Sequence, residues 1–146
     1  MRVDFCMNTQ MLLQPKKTKY KKLQKGTLRK YDIKNSRILK GTYGLKAQES
    51  GSISAKHIET ARQAIARKME KKGKIWVRAW PNLPVTKKPS ETRMGKGKGT
   101  VDHWVSRISS GSVVFELSNI SHKIAVASFR TGAAKLPVKT KIVRMK

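Results

Sequence analysis

The chain has 146 residues, with 34 Lys and Arg against 8 Asp and Glu, a formal net charge of +26. A single domain carrying that excess repels itself unless a polyanion neutralises it, so nucleic acid is a better partner than a merely solvated basic surface. One cysteine, Cys6, excludes a disulfide framework and a thiolate metal site, and no apolar run approaches a membrane span.

Residues 1–10 are short and contain Asp4, which makes a poor signal or transit peptide. They read as a disordered extension, or as a second start ahead of Met11. Residues 11–40 form a basic arm with eleven cations against one acid, Asp32. Its few apolar residues (Leu23, Leu28, Ile33, Ile38) hold no period, so the arm builds no core of its own. Extended, it spans up to roughly 100 Å, enough to thread between RNA helices. Lys16, Lys17, Lys19, Lys21, Lys22 and Lys25 are its candidate phosphate contacts. Tyr20 and Tyr31, set among the cations, are candidates for stacking on bases.

From Gly41 the pattern becomes that of a folded domain. Residues 41–48 predict a strand and 49–51 a turn. Ser54 is the expected N-cap of a helix over 55–72, with Ile58, Ala61, Ile65 and Met69 on its inner face and Gly73 as its stop. Arg62, Lys68 and Lys72 lie on other faces, within reach of phosphates or of solvent. Residues 74–80 alternate as a strand, with Ile75, Val77 and Ala79 on one face and Trp76, Arg78 and Trp80 on the other. The two tryptophans read as packing anchors. Pro81, Pro84 and Pro89 predict an extended link without regular structure.

Strands over 100–108 and 113–117, joined by a turn at 109–111, predict a hairpin. A helix over 121–135 follows, with Ile124, Ala125, Phe129 and Ala133 facing inward. Its Gly132 costs about 1 kcal/mol relative to alanine, tolerable where it permits close packing. Pro137 ends that helix, and 138–143 predict a last strand. This order places two helices on a mainly antiparallel sheet, the α+β class, with 41–146 as a single domain. That domain carries 22 basic and 6 acidic residues, so the charge is not confined to the arm.

The most pointed stretch is Arg93-Met94-Gly95-Lys96-Gly97-Lys98-Gly99-Thr100. Glycine at every second position lets the backbone lie close against another surface, and Arg93, Lys96 and Lys98 specify that surface as a polyanion. A Walker loop needs four residues between its first glycine and Gly-Lys-Ser/Thr, with a helix after it; the spacing fails and a strand follows. A plain hairpin tip is the duller reading. No catalytic constellation assembles, because the acids are scattered and His57, His103 and His122 lack ligand spacing. Asp102 and His103, neighbours in a strand, are expected on opposite faces. No metal or cofactor is expected.

Several stretches resemble bacterial-type large-subunit ribosomal protein sixteen. They are Leu13-Gln-Pro-Lys-Lys-Thr-Lys-Tyr-Lys-Lys22, Tyr43-Gly-Leu-Lys-Ala47, Ile58-Glu-Thr-Ala-Arg62 and Gly73-Lys-Ile-Trp-Val-Arg78. Pro84-Val-Thr-Lys-Lys-Pro89 followed by Arg93 to Gly99 is the most specific match, and Ala133-Ala-Lys-Leu-Pro137 closes the series. The resemblance implies an α/β-hammerhead fold bound to large-subunit rRNA near the central protuberance. It also implies help in placing tRNA at the aminoacyl site, and no catalysis. By the same resemblance the loop of Arg93, Met94, Gly95, Lys96, Gly97, Lys98 and Gly99 extends towards the peptidyl-transferase region and the tRNA acceptor arm. The segment from Lys16 to Lys25 is expected along rRNA, with Arg62 and Arg78 completing the rRNA-binding set.

Residues 1–10 have no counterpart in the family, and 28–40 diverge from it. The composition and the run Trp104-Val-Ser-Arg-Ile-Ser-Ser-Gly111 look more like mitochondrial members. A mitochondrial ribosome in the matrix is therefore the expected location, with the bacterial cytoplasm as the alternative. Neighbouring large-subunit proteins are expected partners; a membrane or a homo-oligomer is not. The rival reading is a free RNA or DNA chaperone, or an architectural nucleic-acid binder, located off the ribosome.

Overall fold

Backbone hydrogen bonding in the computed structural model, which describes residues 14–28, 30–70 and 72–145, sorts seven strands into two antiparallel sheets. The expected extension over 1–10 and the first residues of the arm lie outside the described residues. The elements in order are β1 (Tyr43–Ala47), β2 (Gly51–Ser54), α1 (Ala55–Lys68), β3 (Lys74–Val77), β4 (Leu83–Lys87), β5 (Thr100–Ile108), β6 (Val113–Ser118), α2 (His122–Ala133) and β7 (Thr140–Arg144). One sheet runs β3-β6-β1-β7 and the other β2-β5-β4. This is the expected α+β class, with its sheet divided in two.

The four-stranded sheet and the two helices share the main core. Strand β6 is buried along its whole length, flanked by β1 and β3. Its Phe115 and Leu117 join Leu45 of β1, Ile58 and Ile65 of α1, and Phe129 of α2 in one apolar cluster. Each such fully buried side chain stabilises by about 1.5–3 kcal/mol, which is what opposes the self-repulsion of the cations. The helices touch where Gly132 meets Ile65; a Cβ at 132 would run into the isoleucine side chain. The close approach expected of Gly132 is therefore present.

Helix α1 begins as expected, with Ser54 Oγ accepting a hydrogen bond from the His57 amide at 3.3 Å. Ile58, Ala61, Ile65 and Met69 are all buried. It stops a turn earlier than Gly73, because Glu70 itself takes the left-handed conformation (φ 52°) that glycine usually supplies after a helix. In α2 the inward stripe is Ala125, Ser128, Phe129 and Gly132, while Ile124 and Ala133 are only partly buried.

The expected turn lies at 48–50 between β1 and β2, and strand β2 then leads directly into α1. Three expectations are corrected. The segment containing Pro84 is strand β4, paired only with β5. An edge strand has one unpaired side, so proline's missing N–H is tolerated there. Strands β5 and β6 form no hairpin: β5 pairs with β2 and β4, β6 with β1 and β3, and residues 109–111 carry the chain from one sheet to the other. Trp80 is also no packing anchor, being 46% exposed, whereas Trp76 is half-buried.

Candidate nucleic-acid interface

The hairpin is instead β4–β5, closed at its base by the Lys87–Thr100 pair, and its long tip is the glycine–lysine loop. Residues 87–98 are exposed throughout, and Met94 is 99% exposed. Gly95 (φ 90°), Lys96 (φ 52°) and Gly97 (φ 80°) are three successive left-handed residues. A Cβ at 95 or 97 would meet nothing within 4 Å, so glycine is needed there for backbone conformation rather than for space. Lys88 Nζ braces the turn by donating to the Gly95 carbonyl at 2.6 Å.

The arm lies against this hairpin. Lys22 Nζ donates to the Lys98 carbonyl at 2.8 Å, and Lys98 Nζ returns a bond to the Leu23 carbonyl at 2.6 Å. The Arg107 guanidinium on β5 donates to the Lys25 carbonyl. Lys16, Lys17, Lys19, Tyr20, Lys21, Lys22 and Lys25 are all exposed, with the Lys19 ammonium 5.5 Å from the Tyr20 ring centre. The two stretches singled out from the sequence thus form one cationic surface, although more than seventy residues separate them.

Further along, the arm is docked onto the domain. Tyr31 bridges Ser110, and Asp32 N donates to the Ser110 carbonyl at 3.0 Å. Where the arm enters β1, the amides of Leu39, Lys40 and Gly41 donate to the Glu116 carboxylate at 3.2, 2.7 and 2.9 Å. Arg78 pairs with the same carboxylate and also donates to the Arg37 carbonyl at 3.3 Å. Glu116 is fully buried. Burial acts to raise its pKa, but the Lys40 and Leu39 amides, Arg78 and the Gly41 amide outweigh it and hold the group below the usual glutamate value.

Arg62 and Arg78 both have internal carboxylate partners. Arg62 makes bonds of 2.9 and 2.7 Å to Glu59, and that contact is the main reason Glu59 is held below its ordinary value. The structure does not bring these two arginines into the arm–loop surface. Composition alone left Glu116 unnoticed as the holder of the arm's root; its signal is a lone carboxylate in an otherwise apolar strand.

Asp102 and His103, expected apart, are bonded at 2.8 Å. The β4–β5 register jumps here, with Val85 opposite His103 and Thr86 opposite Val101, so Asp102 is the extra residue of a bulge that re-aims its side chain. The hydrogen bond from His103 lowers the Asp102 pKa. Both side chains are exposed, and no group of three His, Cys, Asp or Glu suited to a metal exists among the described residues. Among those residues, no helix is long and apolar enough to cross a membrane.

A sequence profile of the family described as ribosomal protein L16p/L10e matches residues 15–143. The large ribosomal subunit protein uL16 of Halorhodospira halophila is 51% identical over 132 residues, covering 90% of this chain and 96% of the relative. The uL16 proteins of Bartonella henselae and Erythrobacter litoralis are 47% and 48% identical over 133 residues, covering 91% and 90% of this chain and 97% and 92% of theirs. The match spans arm, hairpin and core together, and the chain belongs to the ribosomal protein L16p/L10e family.

Proposed function

We propose that the chain is a structural, non-catalytic constituent of the large ribosomal subunit. It binds large-subunit rRNA and helps place tRNA at the aminoacyl site near the peptidyl-transferase centre. The observation that carries this is the clasp between arm and loop, which turns two cationic stretches into one surface facing away from the core. Lysines dispersed along it neutralise phosphates by counterion release, and A-form RNA is met by shape and charge because its base edges are largely hidden. Lys16 to Lys25 lie along rRNA; Arg93, Lys96 and Lys98, with Met94 and the glycines Gly95, Gly97 and Gly99, reach towards the tRNA acceptor arm. Arg62 and Arg78, each paired with a carboxylate, meet rRNA through their remaining N–H groups rather than through net charge. The particle is a ribosome of bacterial type. The mitochondrial placement rests on the 104–111 run, and the bacterial source of the relatives favours the bacterial cytoplasm.

The test is a sucrose gradient combined with charge removal. The chain is expected to co-sediment with the large subunit and to leave it only at high salt. Changing Arg93, Lys96 and Lys98 together to alanine is expected to flatten the salt dependence of RNA binding by about two log units per log unit of salt, and to weaken aminoacyl-site tRNA binding. A free pool at low salt supports the chaperone reading instead, and unchanged tRNA binding in the triple variant removes the loop from the account.

A further inference from the structure

Beside the arm–loop surface lies a second feature, a mainly polar cleft of about 110 Å³ where a short helical turn of the arm (Lys34–Ser36) meets β5 and the end of β3. Trp80, Arg78, Arg107, Asp32, Asn35 and Ser112 line it. The volume suits the edge of one heterocycle and is too small for a drug-sized ligand. Trp80 is the exposed one of the three tryptophans, while Trp76 and Trp104 are half-buried. Arg78 is committed to Glu116, so Arg107 is the guanidinium open to solvent, and an exposed indole beside it is the chemistry that stacks an unpaired base and holds its phosphate.

Asp32 makes the cleft more selective than that. Its carboxylate accepts from Asn35 Nδ2 at 2.6 Å, from the Asn35 amide at 3.3 Å and from Ser112 Oγ at 3.2 Å, so it is held in place. These bonds, chiefly the one from the Asn35 side chain, keep it ionised. In a chain of +26, one fixed anion at the end of a cleft repels phosphate and accepts N–H groups. Asp32 Oδ2 already takes two of these bonds and Oδ1 one, so a guanine edge, with adjacent N1–H and N2–H donors, takes the open side of Oδ1 and replaces the long Ser112 bond on Oδ2, whereas uracil offers one N–H.

We propose that this cleft takes a single unstacked guanine of RNA, its ring on Trp80, its Watson–Crick edge on Asp32 and its phosphate against Arg107. This rests on the RNA-binding reading above and adds a base-selective contact to it. The test uses the full chain and two labelled pentaribonucleotides of equal charge, UUGUU and UUUUU, with affinity read by fluorescence anisotropy at fixed salt. Stacking and edge bonding together are expected to favour UUGUU about tenfold. Asp32→Asn and Trp80→Ala are each expected to bring that ratio to near one, and Trp80→Ala to weaken UUUUU as well, because every base stacks on an indole; Trp80→Phe keeps the ratio. Equal affinity of the wild-type chain for the two pentamers, or a ratio that survives either variant, overturns the proposal and leaves charge-based RNA binding intact. Failure to bind either pentamer while the chain still co-sediments with the large subunit overturns the cleft proposal alone; failure of both overturns the RNA-binding reading, and the cleft with it.

Discussion

Replacing Glu116 with glutamine keeps the side chain's shape and removes its charge. In the native chain this fully buried carboxylate receives three backbone amides and Arg78. Glutamine turns one acceptor into an NH₂ group facing other donors, and it leaves the guanidinium unpaired. Removing one partner of a buried ion pair costs about 3–5 kcal/mol. Arg78 is 16% exposed and keeps the Arg37 carbonyl, so water and that bond soften the loss towards about 3 kcal/mol. Against a total stability of about 5–15 kcal/mol for a domain, that is a large share.

The pH dependence has a definite sign. A carboxyl whose folded pKa is depressed contributes stability that is complete above its unfolded value, near 4.5, and lost as pH falls through the folded value. The gap between native chain and Glu116→Gln variant is therefore wide at pH 7 and narrows in acid. Urea unfolding followed by tryptophan emission measures it, since Trp76 stands opposite Glu116 in the β3–β6 register. Amide exchange at residues 39–41 is expected to accelerate in the variant. Equal stability at pH 7, or a gap that widens in acid, would refute the reasoning.

Gly132→Ala gains about 1 kcal/mol of helix propensity but drives a methyl group into Ile65, an overpacking that costs about 1–3 kcal/mol. Net destabilisation in urea is expected, with Ile65→Val restoring part of it. Ser54→Ala removes the cap on the His57 amide and is expected to lower stability by about 1 kcal/mol, read as a shift of the urea midpoint at unchanged slope. His103→Ala removes the main cause of the Asp102 shift, so NMR titration of that carboxyl should move up towards 3.8. The pair is exposed, and the change is expected to leave thermal stability unaltered.

Helix α1 was legible because four apolar residues at three- and four-residue spacing, a serine cap and a polar outer face all agree. Its end was not, since a glutamate rarely adopts the left-handed conformation that Glu70 takes. The loop announced its exposure by offering nothing apolar after Met94. Strand pairing was the larger failure. Alternation tells which side of β5 faces inward, but it does not name the partner, and Ser109-Ser110-Gly111 looks the same whether it closes a hairpin or hands the chain to another sheet. The Arg78–Glu116 pair joins residues 38 apart, and the Lys22–Lys98 clasp joins residues 76 apart. Separations of that size leave no local trace. The Asp102–His103 contact was missed because a one-residue bulge reverses the parity of a strand.

The β4–β5 hairpin is narrow at its neck, where Gly99 rests on the backbone of Lys87 and Lys88, and empty around Gly95 and Gly97. Freezing such a tip removes about 1–2 kcal/mol of backbone freedom per residue, and its own fold supplies little in return. That entropic debt falls on whatever the tip touches. On the reading proposed above, that ordering cost offsets the phosphate contacts of Arg93, Lys96 and Lys98, so what they yield depends steeply on how well the bound RNA is placed.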